Sequence, residues 1–263
     1  MTELFVADSI DARVRDCLEQ TLASWREWHT GAVKLSAQPT VLRDLGGTTN
    51  CSFLITSGEF RAVLRVNAEN SASLGIDRQR ELTILQCLQP TAAVPQLFYS
   101  TERVLVSAFV EGHPPSTDSP AQVMAEITHV LAKIQQVNVP QLERRNYVDY
   151  CQAYLDQLND QPVGRALRDR LLEAAACIDS APWSAVICHH DLIAENIIVT
   201  ANGPVILDWE YAALGHPALD YMRLLGGQIP DAACLGVDQK ITEKLAILQR
   251  GMDDLWLLLQ CQR

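Results

Sequence analysis

The chain alternates between stretches with a helical period of apolar residues and stretches with a strand period. Over residues 10–28, apolar side chains such as Val14 and Leu18 recur at helical spacing, which predicts an amphipathic helix. Residues 40–66 instead contain short runs of alternating apolar and polar residues, broken by the turn sequences GGTTN and SGE. This pattern predicts three antiparallel strands joined by hairpins.

A second set of elements completes this β-rich region. Residues 73–88 have a helical period, and residues 94–100 and 103–109 have the composition of strands. The sequence VEGHPPSTDSP that follows is rich in Pro and Ser and has no apolar period, which is typical of a connector. We therefore expect a small five-stranded antiparallel lobe that ends near Phe109.

The rest of the chain is mostly helical in its pattern. Helical periods cover residues 119–138, about 143–180, 216–225 and 242–260. The predicted fold class is α+β, with an N-lobe at residues 1–109 and a mostly helical C-lobe at residues 110–263.

Composition restricts the class of protein. The chain of 263 residues has 21 basic and 32 acidic residues and a formal net charge of −11, which disfavours nucleic acid or an anionic membrane as a partner. No apolar run reaches the ~18 residues of a membrane span, and the N-terminal sequence lacks the pattern of a signal peptide. The eight cysteines form no C-x-x-C motif, so we expect reduced thiols in a cytoplasmic protein.

The sequence CHHDLIAENIIVTANGPVILDWE concentrates polar residues at the ends of two strand-like runs. Asp191, Asn196 and Asp208 flank the runs IIVT and VILD, which the turn sequence ANGP joins. A two-residue Asn-Gly turn would place Ile197 opposite Asp208, whereas a three-residue Ala-Asn-Gly loop would place Asn196 opposite Asp208. We favour the second register, because both polar side chains then have a partner.

These polar residues suit a magnesium site. Mg²⁺ prefers oxygen ligands and usually keeps water and phosphate oxygens in its shell, so Asn196 and Asp208 are the predicted metal ligands. Asp191 precedes them in the loop that enters the hairpin. A carboxylate at that point can position a nucleophile and accept its proton.

The segments HHDLIAEN (189–196) and ILDWE (206–210) together resemble the signatures of the aminoglycoside phosphotransferase and choline kinase superfamily. The sequence DWEYA looks like the choline, ethanolamine and thiamine kinase branch. The resemblance implies a two-lobed, protein-kinase-like fold with ATP and Mg²⁺ as cofactors. It also implies transfer of the γ-phosphoryl group to a hydroxyl of a small, cationic acceptor, with Asp191 as the catalytic residue.

The resemblance assigns the nucleotide site to the N-lobe. The loop GGTTN is similar to the phosphate loop of small-molecule kinases, and its members are Gly46, Gly47, Thr48, Thr49 and Asn50. The segment SAFVEG resembles the hinge that offers backbone groups to adenine, which adds Ser107 and Phe109 to the expected cofactor-binding residues. By itself, a Gly-Gly hairpin turn is the commoner explanation of such a loop.

The phosphate-contacting cation is expected to be an arginine, because none of the four lysines falls in a predicted strand. Arg65 stands where the family carries Lys or Arg, and Arg61 is its competitor on the same strand face. Glu81 is the acid expected to hold that arginine from the following helix. A solvated helix face that also carries Arg78 is the alternative for Glu81.

The C-lobe motifs contain further assignments and one departure. His189 is expected to brace the catalytic loop, and Asp220 is expected to support that loop from the start of a helix. The family usually has Gly immediately before the metal-binding Asn, whereas this chain has Glu195. If that position required a positive φ, Glu195 would carry strain of order 1 kcal/mol.

The acceptor is the least determined part of the assignment. Trp209, Glu210 and Tyr211 follow the metal-binding Asp and are candidate acceptor contacts, since aromatic faces bind quaternary ammonium groups. Aminoglycoside, other amino-alcohol or sugar acceptors stay open. Two other classes of protein also stay open: a metal-dependent hydrolase that uses His189, His190 and Asp191 as ligands, and an inactive nucleotide-binding module.

Overall fold

The computed structural model describes residues 10–116, 118–140, 142–158, 164–226 and 238–260. Its helices are α1 (Ala12–Ala23), α2 (Arg78–Leu88), α3 (Ala121–Ile134), α4 (Tyr147–Gln157), α5 (Arg165–Ser180), α6 (Leu219–Leu224) and α7 (Gln239–Gln260). Its strands are β1 (Thr40–Gly46), β2 (Cys51–Ser57), β3 (Phe60–Val66), β4 (Leu97–Ser100), β5 (Val104–Ala108), β6 (Val186–Cys188), β7 (Ile197–Thr200), β8 (Gly203–Ile206) and β9 (Ala213–Gly215).

The first five strands form one antiparallel sheet in the order β1-β2-β3-β5-β4. The turn sequence GGTTN separates β1 from β2, and SGE spans the turn between β2 and β3. Val63 and Arg65 alternate onto one face of β3, since side chains two residues apart share a face. The predicted five-stranded sheet and the α+β fold class are confirmed.

One face of this sheet is covered by α1. Leu18 and Leu22 pack there with Phe53, Ile55 and Leu64, and all are buried. The helix begins at Ala12, later than the apolar period predicts, because the Asp11 side chain accepts a hydrogen bond from the Arg13 N–H and caps it.

Helix α2 packs into a core that it shares with the helical half of the chain. Ile84 and Leu88 lie in one apolar cluster with Ile127 of α3, Ile187 of β6 and Ile206 of β8. All five side chains are fully buried, so the transfer of their apolar surface from water stabilises this contact. The shared core fixes the sheet and the β7–β8 hairpin relative to each other.

The remaining helices form a separate core. Tyr154 of α4, Leu171 of α5 and Leu245 of α7 are buried together in it. The pair β6–β9 and the hairpin β7–β8 lie between this core and α2. None of the described helices combines the length and apolarity that a bilayer crossing needs.

Candidate active site

A cleft of about 520 Å³ lies between the five-stranded sheet and the β7–β8 hairpin. The predicted nucleotide and metal residues all line it: Gly46, Gly47, Thr48, Thr49, Asn50, Arg65, Glu81, Ser107, Phe109, Asn196 and Asp208. Residues from the first third of the chain therefore face residues from the last third across one opening.

The β7–β8 hairpin has neither of the two expected registers. Thr200 pairs with Gly203 and Ile197 with Ile206, so the two-residue turn is at Ala201 and Asn202. The Thr200 hydroxyl explains this position, because it accepts the Asn202 N–H at 3.0 Å and donates to the Gly203 carbonyl at 2.8 Å. The prediction that Asn196 lies directly opposite Asp208 is wrong, and Leu207 takes that place.

Asn196 and Asp208 nevertheless line the same cleft. The Leu207 N–H donates to the Asn196 carbonyl at 2.7 Å, which extends the pairing to the last residue before Asp208. Asp208 then adopts a left-handed φ of 55°, a conformation that costs a non-glycine residue about 1 kcal/mol. The turn in the backbone, rather than strand register, directs the carboxylate into the cleft.

The Asn196 side chain is oriented by the catalytic loop. Its Nδ2 donates to the Asp191 carbonyl at 2.9 Å and lies 3.5 Å from Asp191 Oδ2. With the nitrogen used in this way, the Oδ1 atom is left for a cation. Asn196 and Asp208 thus supply the hard oxygen donors that Mg²⁺ requires.

The glycine loop requires its glycines for two different reasons. Gly46 and Gly47 have φ values of 71° and 147°, which favour glycine. A Cβ atom on Gly47 would lie 2.1 Å from the Asn50 carbonyl oxygen, so no side chain fits there. Asp44 accepts the Gly46 N–H at 2.7 Å and holds the start of the loop.

Arg65, not Arg61, is the arginine of the cleft. Arg65 is buried, whereas Arg61 is exposed and does not line the cleft. The Arg65 Nη2 atom lies 2.7 Å from the Glu81 carboxylate, and its Nη1 atom lies 3.5 Å from Asp208 Oδ1. Glu81 is 3% exposed, which excludes the solvated helix face as an interpretation.

A buried network around Arg78 was not expected from the sequence. Its Nη1 donates to Glu81 at 2.9 Å and to Glu210 at 3.1 Å, and its Nη2 donates to Asn50 Oδ1 at 2.7 Å. Asn50 Nδ2 completes the network by donating to Glu210 at 2.7 Å. We call Asn50, Arg78 and Glu210 the interlobe clasp, because it joins the glycine loop, α2 and the segment after Asp208.

The clasp engages two of the residues expected in the site. The Asn50 Oδ1 atom also accepts the Ala68 N–H at 3.1 Å, so both of its lone pairs are used. Asn50 therefore shapes the phosphate loop from inside. Glu210 lines the cleft but is only 3% exposed, and its carboxylate is engaged by Asn50 and Arg78.

The cleft carries an excess of negative charge. Burial raises the pKa of Asp208, against the opposing effect of Arg65, although its side chain stays 45% exposed. Burial also raises the pKa of Glu210, and the charge of Asp208 adds to that shift. Three carboxylates thus share two arginines, Arg65 and Arg78. A divalent cation would relieve this imbalance.

Apolar side chains form the part of the cleft where a base would lie. Ile198 and Leu207 line it from the hairpin side, and Val63, Leu97 and Leu105 line it from the sheet side. The predicted Ser107 pairs within the sheet with Val63 and Leu97, and the Phe109 N–H donates to the Arg61 carbonyl at 3.3 Å. Val110, which was not expected, is the next lining residue.

The catalytic loop is braced as expected. His189 is buried; its Nε2 donates to the Leu207 carbonyl at 2.7 Å, and its Nδ1 accepts the Asp191 N–H at 3.3 Å. The carboxylate of Asp220, beside the start of α6, accepts the N–H groups of His189 and His190 at 2.7 and 3.0 Å. The backbone around Asp191 is therefore held from two sides.

Asp191 itself forms an ion pair that the sequence pattern does not indicate. Its Oδ1 atom lies 3.0 Å from Arg223 Nη2, and Arg223 Nη1 lies 2.5 Å from Asp253 Oδ2 of α7. The three side chains are partly exposed, at 31%, 22% and 46%. Arg223 thus connects the Asp191 carboxylate to α7.

The expected aromatic contacts for a cationic acceptor are only partly available. Trp209 is 2% exposed; its Nε1 donates to the Ile206 carbonyl and its ring packs on His189, so it is a core residue. Tyr211 is partly buried and lies outside the cleft lining. Burial raises the pKa of its hydroxyl, and the charge of Glu210 adds to that shift.

The structure does not assemble the alternative hydrolase site. The His189 ring faces Leu207, whereas His190 faces the Cys188 carbonyl and the Tyr147 hydroxyl. Within the described ranges, no group of three His, Cys, Asp or Glu side chains could hold a metal ion. Glu195 is exposed and has no positive φ, because it lies in a short 3₁₀ turn at 194–196.

Comparison with known proteins agrees with this geometry. Residues 40–248 match the model of the phosphotransferase enzyme family (APH). Human ethanolamine kinase 1 is 26% identical over 172 residues, which are 57% of this chain and 38% of the relative. The LicA homolog of Mycoplasma capricolum is 27% identical over 143 residues, which are 54% of this chain and 58% of the relative.

A solved structure shares the fold over nearly the whole chain. Choline kinase LicA from Streptococcus pneumoniae superposes with a TM-score of 0.74 at 17% identity, covering 94% of this chain and 90% of LicA. A structure of LicA in complex with AMP is equally similar, with a TM-score of 0.74. The matched segments span only between 38% and 58% of the length of these curated relatives. With 209 consecutive positions matched, from 40 to 248, the chain belongs to the phosphotransferase enzyme family.

Proposed function

We propose that this chain is an ATP- and Mg²⁺-dependent kinase that phosphorylates a hydroxyl of a small, cationic amino alcohol. Family membership supports phosphoryl transfer as the reaction class. The LicA complex with AMP supports an adenine nucleotide as the donor.

One observation carries the proposal. The glycine loop and Arg65 lie across a single cleft from Asn196 and Asp208. A nucleotide triphosphate has a base that needs apolar walls and phosphates that need donors and a metal. The cleft has apolar side chains for the base, and it has the glycine loop, Arg65, Asn196 and Asp208 for the phosphates and the metal. Its volume of about 520 Å³ suits a ligand of this size.

The residues of the cleft have distinct proposed roles towards the nucleotide. The backbone of Gly46–Thr49 surrounds the phosphates, and Arg65, held by Glu81, contacts them. Asn196 and Asp208 would hold Mg²⁺, which supplies charge neutralisation on the transferred phosphoryl group when bound. Loose transition states of this type depend mainly on positioning and charge.

Asp191 is the proposed catalytic residue. It orients the acceptor hydroxyl and accepts its proton while the acceptor oxygen bonds to the γ-phosphorus and the bond to the ADP oxygen breaks. Arg223 limits the rotation of the Asp191 carboxylate at 3.0 Å. Asp220 and His189 hold the loop backbone.

The acceptor is proposed from charge and from the relatives. Asp191 and Asp253 bracket a single cation, Arg223, so this group retains one net negative charge towards a bound acceptor. Ethanolamine kinase 1 and the choline kinase LicA carry names of cationic amino-alcohol substrates. Choline, ethanolamine and thiamine are therefore the first acceptors to test.

We also propose the division between lobes at residues 109 and 110 and a cytoplasmic location. The connector that follows Phe109 pairs with the β7–β8 hairpin, because His113 forms a β-bridge with Val199. The proposed boundary therefore marks where the chain passes from the five-stranded sheet to the helical half, and the two lobes stay in contact there. The six cysteines in the described ranges are all free thiols, as expected in a reducing compartment.

The test is ADP release from ATP–Mg²⁺ with a panel of choline, ethanolamine, thiamine and aminoglycosides. We expect turnover with at least one amino alcohol, and no turnover in the Asp191→Ala variant, which retains ATP binding. Absence of turnover with every acceptor, together with unchanged ATP affinity in Asp208→Ala, would contradict the proposal.

A further inference from the structure

A second cavity, of about 450 Å³, lies between the start of α2, the segment before α4 and β9. It shares no lining residue with the nucleotide cleft. Three arginines line it: Arg80, Arg144 and Arg145. Within the described ranges, none of the three forms an ion pair with a carboxylate.

The Arg80 guanidinium group donates hydrogen bonds to backbone carbonyls. Its Nε donates to the Ala212 carbonyl at 2.9 Å, and its Nη2 donates to the Gly75 carbonyl at 3.1 Å. These neutral acceptors fix the side chain between α2 and the segment after Glu210. They leave its positive charge without a counterion.

Arg145 is more deeply buried, at 7% exposed. Its Nη2 donates to the Tyr211 carbonyl at 3.0 Å, and its guanidinium carbon lies 4.2 Å above the Tyr150 ring. Its Nη1 atom has no hydrogen-bond partner in the described part of the chain. A buried, charged donor that lacks an acceptor is strongly unfavourable.

The two arginines lie close enough to affect each other. Burial lowers the pKa of Arg80, and the charge of Arg145 lowers it further. The same two charges act on His190, whose pKa burial lowers well below its usual value. The positive charges of Arg80 and Arg145 therefore lie near each other at the cavity.

The acidic residues of the cavity form no ion pair with its arginines in the described part of the chain. Asp77, Glu143 and Asp149 also line it, but all three are exposed, and none comes within 4.0 Å of an arginine nitrogen here. Asp77 caps α2 by accepting the Arg80 N–H at 3.0 Å, and its charge partly offsets the effect of Arg145 on Arg80. The charge pattern is an acidic, exposed rim around a more buried basic floor.

We propose that this cavity binds a phosphate-sized oxyanion between the guanidinium groups of Arg80 and Arg145. Planar guanidinium groups form paired, charge-assisted hydrogen bonds with tetrahedral oxyanions. A small anion would pass the acidic rim and place a counterion beside Arg80 and Arg145, both of which line the cavity. Because both arginines also bind carbonyls of residues 211 and 212, the anion would stabilise the segment directly after the interlobe clasp.

The test is a calorimetric titration of inorganic phosphate at constant ionic strength, with KCl at matched ionic strength as the reference. We expect one saturable site whose affinity falls at least about tenfold in Arg80→Met and in Arg145→Met, because each removes charge-assisted bonds. Arg170→Met, an exposed arginine of α5, is the matched control and should bind phosphate normally. If Arg145→Met fails to fold, the phosphate affinity of Arg80→Met decides the test, because Arg80 is partly exposed.

A variant of the nucleotide cleft separates this site from the proposed ATP site. Loss of phosphate binding in Arg65→Met, with binding retained in Arg80→Met, would overturn the proposal, as would the absence of saturable binding beyond KCl. A methyl phosphate arm distinguishes the sources of the anion. If methyl phosphate competes with inorganic phosphate, the site accepts phosphate monoesters. If methyl phosphate does not bind while inorganic phosphate does, the site is specific for the free ion.

Discussion

The two halves of the proposed active site are built in different ways. The nucleotide side takes its residues from short motifs on neighbouring strands and turns: the glycine loop after β1, Arg65 on β3 and the residues that flank the β7–β8 hairpin. The acceptor side joins three distant elements, because Arg223 of α6 links Asp191 to Asp253 of α7. Short motifs thus supply the residues of the nucleotide side, although the clasp with Glu210 completes its glycine loop, whereas tertiary packing of the helices brings together the acceptor side.

This difference predicts which properties each half controls. Changes on the acceptor side should alter turnover and leave nucleotide affinity unchanged, because the Asp191–Arg223–Asp253 group lies outside the cleft lining. Changes at Arg65 should alter nucleotide affinity first. The following variants test that separation, from the largest expected effect to the smallest.

Asp191→Asn should lower kcat by about 10²- to 10⁴-fold, because the amide cannot accept the acceptor's proton. The KM for ATP should stay within a factor of about two, since Asp191 does not line the nucleotide cleft. Steady-state kinetics at saturating acceptor measures both values. Asp254→Asn, an exposed acid of α7, is the matched control; a rise in the KM for ATP equal to the loss in kcat would break the separation of the two halves.

Arg223→Met should lower kcat by about 10- to 100-fold, because Asp191 loses the contact that orients it. Arg223→Lys should recover part of this loss, since a single ammonium can reach one of the two carboxylates but not bridge them. A purely structural role would instead lower the melting temperature of both variants without recovery of kcat in Arg223→Lys. Thermal unfolding of the two variants distinguishes these outcomes.

Arg65→Lys should raise the KM for ATP by about tenfold, because a planar fork is replaced by a point charge at the phosphates and one charge-assisted bond is lost. Arg61→Lys is the matched control from the same strand, and its exposed side chain predicts no change. An equal rise in the KM for ATP in Arg65→Lys and Arg61→Lys would contradict the assignment of Arg65 as the arginine that contacts the phosphates. Kinetics at varied ATP concentration provides the measurement.

The smallest effect concerns the support of the catalytic loop and its dependence on pH. Burial lowers the pKa of His216 to about 4, and burial also lowers the pKa of His190. Between pH 6.5 and 4 the unfolded chain binds more protons at His216, so stability falls as pH falls. The loss between pH 7 and 5 should be up to about 2 kcal/mol for His216.

Urea unfolding at pH 7 and pH 5 measures this dependence. His216→Asn should flatten it, because Asn has an acceptor for the Ala218 N–H that His216 Nδ1 binds at 3.2 Å and does not titrate. An unchanged slope in this variant would show that the buried imidazole contributes nothing to acid sensitivity.

The same contrast between local motifs and long-range packing explains which features of the fold and the site could be predicted from the sequence. The five-stranded sheet follows from short-range patterns, whereas the Arg65–Glu81 pair and the support by His189 and Asp220 were expected from the family resemblance; the structure contains all of these contacts. The hairpin register does not follow, because Thr200 moves the turn one position earlier than the Asn-Gly sequence indicates. A Thr at the end of the first strand can therefore shift the position of a hairpin turn, because its hydroxyl binds the turn backbone.

Long-range partners lie beyond such patterns. Arg223 has no local motif, and its partner Asp253 is thirty residues away on another helix. Arg78 looks like one of several charges on a solvated helix face until α2 packs and buries it. The burial of Trp209 and Glu210 likewise depends on long-range packing, which their position directly after Asp208 in the sequence does not indicate.

The interlobe clasp has a consequence for how the protein is made. Asn50 and Glu210 are 160 residues apart in the chain, so the contact that shapes the phosphate loop forms only after most of the polypeptide has left the ribosome. Until then the emerging N-lobe has its sheet but an unfinished loop, because domains assemble in order during synthesis while long-range contacts form late. A nascent chain stalled before residue 210 should therefore bind nucleotide poorly even with every strand of the sheet already translated.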